Sequence, residues 1–135
     1  MERGLEPAQW RGWVLSEYRI LNAGGYVMIE IKFQEKIIQY EDAFLYYLEQ
    51  PATAENVQKL ATYCVLHSEA LMDEQQASYI DLKDRIAQLE KNAKVLAECR
   101  VRLRFDYRLG GAIIETIDAT KVAIKRFVQL HSSSL

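Results

Sequence analysis

Four side chains in this sequence carry soft metal-ligand chemistry: Cys64, His67, Cys99 and His131. Cys64 and His67 are three residues apart, so one helix presents both on one face. Together the four supply the donors of a tetrahedral Cys2His2 zinc site. They are singletons, however, not the paired ligands of a zinc motif, and buried free cysteine is common core filler. No metal, no cofactor and no catalytic residue is therefore expected. The carboxylates point the same way. Glu41-Asp42 and Asp73-Glu74 are adjacent in sequence and diverge on a helix. Asp81 and Asp84 share a face, but without the Glu-x-x-His pattern of a di-metal bundle they act as solubility charges.

Cationic chemistry is denser. Arg100, Arg102, Arg104 and Arg108 form a cluster, with Arg100, Arg104 and Arg108 roughly on one side of a helix. Lys121, Lys125 and Arg126 extend it if the last two helices fold back on each other. Such a patch would sit on phosphates and weaken sharply with salt. The chain is acidic overall, with a net charge of -2, and contains no Gly-rich phosphate loop. Acidic balance opposes non-specific nucleic-acid binding. A solvated face, or one pairing acids such as Asp81, Asp84 and Glu90 of a neighbour, is the favoured expectation. The alternative is an oligomeric nucleic-acid binder with a basic C-terminal hairpin, the general organisation of phage packaging and partition factors.

The segment Arg126-Phe127-Val128-Gln129-Leu130-His131 holds Arg, four residues, then His. This spacing near the end of a small helical domain is similar to the motif of the HEPN ribonuclease family. The resemblance implies that two such motifs meet across a dimer, Arg126 holding phosphate and His131 assisting proton transfer. It is carried by those two residues, and Phe127 stands where the family often has a polar one.

The strongest pattern concerns assembly. Leu82, Leu89, Leu96 and Leu103 recur every seven residues, with Tyr79, Ile86, Ala93, Arg100 and Tyr107 on the other half of the heptad. This is a coiled-coil seam. Only Ile86 is β-branched among the second set, so the pattern does not specify a parallel dimer. A long helix with such a stripe must pair with another segment of the chain, another copy or another protein. The spacing leaves all three open.

The elements that position these residues are expected to be helical. Trp10, Trp13, Val14, Tyr18 and Leu21 form a stripe over 8–21, closed by Asn22-Ala23-Gly24-Gly25. Over 26–49, Tyr26, Phe33, Tyr40 and Tyr47 repeat with Ile31, Ile38 and Leu45. Ile37 and Phe44 widen that face to the two-sided burial of a bundle interior. Pro51 stops the element, and Thr53 caps a helix from about 54 to 72. The heptad helix covers about 72–109, stopped by Gly110-Gly111. A last helix over 112–131, with Ile113, Ile117, Thr120, Ile124 and Phe127 as its stripe, folds back as a hairpin around the double glycine. Alternation of polar and apolar residues in 27–33 and 99–107 keeps a strand reading open there.

The length of 135 residues and the 50% hydrophobic content suit one domain, with 1–7 and 132–135 as flexible ends. Neither a membrane span nor a signal peptide is evident, and two cysteines suit a reducing, cytoplasmic setting. The expectation is an all-α bundle of about four to five helices. It would be a non-enzymatic structural or adaptor protein that self-associates or binds a helical partner through Tyr79, Leu82, Ile86, Leu89, Ala93, Leu96, Leu103 and Tyr107.

Overall fold

The computed structural model describes residues 25–104 and 107–133, with side chains from residue 35 onward except at 107–111. The helix expected over 8–21 and the turn over 22–24 lie outside the described residues. Five helices follow in order: α1 (Gly25–Leu48), α2 (Ala54–Met72), a short α3 (Glu74–Ala77), α4 (Leu82–Leu103) and α5 (Tyr107–Ser132). The protein is an all-α bundle, and no strand occurs among the described residues. The alternating run 27–33 lies inside α1, and residues 99–103 form the last turn of α4.

Local chemistry sets the boundaries. Asn56 donates its backbone N–H to Thr53 Oγ1 at 3.2 Å, the cap expected at the start of α2. The Asn56 side chain also donates to the Pro51 carbonyl at 2.9 Å. Asp73 ends α2 and caps α3, accepting from the Gln75 N–H and from Gln76 Nε2, both at 2.9 Å. The Gln76 hydrogen bond is the main reason its carboxyl lies below the usual carboxylate range. The bends around Asp73 and Ser78 make the heptad helix shorter than the expected 72–109. It runs for 22 residues, from Leu82 to Leu103.

The double glycine is the clearest departure. Gly110-Gly111 predicts a stop, yet both residues lie within α5, which begins at Tyr107. Glycine permits a helix end without forcing one. Its helix penalty of about 1 kcal/mol relative to Ala is outweighed when the flanking turns are held by packing.

α2 is the hub of the bundle. It packs against α1, α4 and α5, and α4 packs against α5. Among the described elements α1 touches only α2 and α3. The long helices that follow one another in the chain run antiparallel: Phe44 meets His67 and Tyr47 stacks on Tyr63 between α1 and α2, with ring centroids 5.4 and 6.0 Å apart. Arg85 reaches Leu71 and Asn92 reaches Ser68 between α4 and α2. Arg85 lies over Phe127 and Arg100 binds Asp118 between α4 and α5, the expected hairpin.

Candidate functional site

The leucine row of the predicted seam is built into the chain's own core. Leu89, Leu96 and Leu103 are fully buried and Ile86 is buried, whereas Leu82 and Ala93 are half-buried. Tyr79 is half-buried, and the side chain of Tyr107 lies outside the described residues. The second buried row differs from the predicted one. It is Arg85, Asn92 and Cys99, each one residue before Ile86, Ala93 and Arg100. The helix is rotated so that this row faces α2, and its members are polar or sulfur-bearing.

That row organises a buried hydrogen-bond network. Asn92 Nδ2 donates to His67 Nδ1 and to Ser68 Oγ, each at 3.0 Å. Asn92 Oδ1 accepts from Gln88 Nε2 at 2.9 Å. Ser68 Oγ donates to the Cys64 carbonyl at 2.7 Å, and the Cys64 thiol donates to the Asn92 carbonyl at 3.6 Å. Since His67 Nδ1 accepts, its neutral ring carries the proton on Nε2. Burial pushes the His67 imidazole down to about 4. Burial, reinforced by Cys99, pushes the Cys64 thiol up to about 12; burial likewise takes Cys99 to about 11. Buried polar groups satisfied in this way fix one packing of α4 on α2.

Arg85 is the second buried polar feature. Only 2% exposed, it donates from Nε to the Leu71 carbonyl at 2.8 Å. This carbonyl belongs to the last turn of α2, where backbone acceptors lack helical partners and a cation opposes the dipole. Its Nη1 meets Glu74 at 3.3 Å, and its guanidinium lies 5.4 Å from the Phe127 ring centroid. Nη2 is buried with no acceptor among the described residues. One side chain thus joins α2, α3, α4 and α5.

The cationic candidates are dispersed. Arg100 is bound to Asp118 at 2.6 Å, and that carboxylate holds its guanidinium above its ordinary range. Arg102 and Arg104 are exposed, the Arg108 side chain lies outside the described residues, Lys121 is half-buried, and Lys125 and Arg126 are exposed. His131 is half-buried, 4.3 Å from the Phe127 ring that also carries Arg85. Of the four soft ligands, Cys64 and His67 share the α2 network, and no metal-competent cluster occurs among the described residues.

No protein-family model, curated protein or solved structure matches this chain. Its function is therefore argued from its surfaces. Large aliphatic side chains stand exposed on three helices: Leu45 and Leu48 on α1, Val101 on α4, and Val122 and Leu130 on α5. Beside α5 an open groove of about 450 Å³ runs along the end of α2, between Glu69 and Met72 on one side and Glu115, Thr116, Ala119 and Ala123 on the other. No described helix is long and apolar enough to cross a membrane.

Proposed function

We propose that this protein is a non-enzymatic structural or adaptor subunit that works by binding protein, a second copy of itself first. The observation that carries this reading is the exposure of Leu45, Leu48, Val122 and Leu130 on the outer faces of α1 and α5. Burying such side chains gains roughly 25 cal/mol per Å² of apolar area, so a face that displays them is stabilised by a partner. The leucine row of α4 supports assembly indirectly. By packing against α2 and α5 it gives the outer faces a rigid base, which keeps the ordering cost of association low.

Molar mass measured by light scattering across a concentration range tests the reading. A mass above that of one 15.6 kDa chain that grows with concentration is the expected result. A monomer throughout, with salt-sensitive binding to mixed DNA and RNA that falls when Lys125 and Arg126 are neutralised, would replace it with the nucleic-acid reading.

A further inference from the structure

Val122 and Leu130 are 59% and 66% exposed, more so than any other large aliphatic among the described residues. They lie on a continuous outward face of α5. Ala112, Thr116, Ala119, Ala123, Arg126 and Leu130 are all exposed. Their alternating spacing of four and three is that of a seam facing one partner helix. The Thr116 hydroxyl donates to the Ala112 carbonyl at 3.2 Å, so its hydrogen-bonding capacity is already used within α5. Charge on this face is segregated. Glu115, with Glu69 across the groove, makes the N-terminal half acidic, whereas Arg126 makes the C-terminal half basic.

We propose that this face binds the same face of a second copy, with the two α5 helices antiparallel about a two-fold axis. The inference rests on the protein-binding reading above and names the partner and the surface. The antiparallel register that opposes Ala119 to the partner's Ala123 brings Ala112 opposite the partner's Leu130. Small side chains at the centre let the backbones approach closely, and each large terminal side chain lies over a small one. The same register brings Glu115 beside the partner's Arg126, and symmetry makes the pair twice. A parallel pairing would place acid on acid and base on base. The helix thus complements itself in both size and charge, as an isologous interface requires. Val122 of each copy meets near the axis and loses its exposure there. One helix from each copy makes a contact below the roughly 800 Å² per partner of a standard interface, so association in the micromolar range is expected.

Sedimentation equilibrium of the full chain, from low to several hundred micromolar, tests this on the wild type, Ala119→Glu, Glu115→Arg, Arg126→Glu and the Glu115→Arg/Arg126→Glu double variant. All three positions are exposed, and circular dichroism melting checks that each variant folds. The expected result is a wild-type dimer that Ala119→Glu weakens at least tenfold. Each single reversal weakens it severalfold, and the double variant recovers most of the loss. A wild-type dimer unaffected by Ala119→Glu, or a double variant no better than either single one, would overturn this interface while leaving self-association through another face. A wild type that stays monomeric throughout would overturn both the interface and the self-association reading.

Discussion

At the scale of single residues, the polar side chains that define this molecule are inside it. His67 is held neutral by burial at about 4, against 6.5 when unburied. Between these values the unfolded chain takes up a proton that the folded chain refuses. Stability is complete above 6.5 and falls as pH drops toward 4, by about 3 kcal/mol for the full shift. Urea midpoints should decline across that window, and the decline should be shallower in His67→Gln. An identical slope in the variant would show that His67 is not the source of the acid sensitivity in that window. Arg85 invites a second comparison. Arg85→Ala strands the Leu71 carbonyl and removes the guanidinium from Phe127, so a loss of about 3 kcal/mol is expected in denaturant titration. Glu74→Gln should cost less than about 1 kcal/mol, because Glu74 is 72% exposed and its ion pair is solvated. Equal losses would show the ion pair, not the buried hydrogen bond, to be the stronger tie. Neither residue was legible as core, since polarity on a helix ordinarily marks a solvated face. The available signal was spacing: Arg85, Asn92 and Cys99 recur every seven residues, interleaved with the leucines at Leu89, Leu96 and Leu103.

At the scale of elements, apolar spacing was the readable part and chain reversal was not. The periodicities of α1, α2, α4 and α5 and the Thr53 cap were visible because each is a local pattern with a local cause. Gly110-Gly111 was misleading because glycine's freedom says only where a helix is able to end. If both glycines are helical, Gly110→Ala and Gly111→Ala should each raise stability by roughly 0.5–1 kcal/mol. A drop in melting temperature for either would place a left-handed or tightly packed backbone there. The burial of the leucine row was legible, but its partner was not. A seven-residue repeat states that a stripe is covered and is silent on which helix covers it. With that row buried against α2 and α5, Leu96→Ala should cost about 3–5 kcal/mol in the isolated chain. Ala93→Ser, half-buried on the side away from the true second row, should change stability by less than about 1 kcal/mol.

At the scale of the whole molecule, charge is unevenly placed. Residues 1–90 carry 8 basic and 15 acidic side chains, and residues 91–135 carry 9 and 4. That polarity was visible in the sequence, but the self-complementary face of α5 was not, because it depends on which residues the bundle leaves outside. Global integrity also has a direct chemical readout. Cys64 and Cys99 are buried thiols with raised pKa values, so a thiol reagent should label neither cysteine in the native protein and both in urea. Fast labelling without denaturant would reveal an opening between α2 and α4. The attachment of α1 to α2 and α3 alone, among the described elements, bears on such openings. Detaching α1 breaks its contacts with α2 and the short α3 and leaves α2, α4 and α5 in mutual contact, whereas releasing α2 dismantles the whole bundle. Amide protons of α1 therefore have a low-energy route to exchange with solvent that those of α2 lack. Two nested cooperative units, a three-helix kernel and an outer helix, are therefore expected, and hydrogen–deuterium exchange should resolve them as two separate kinetic classes.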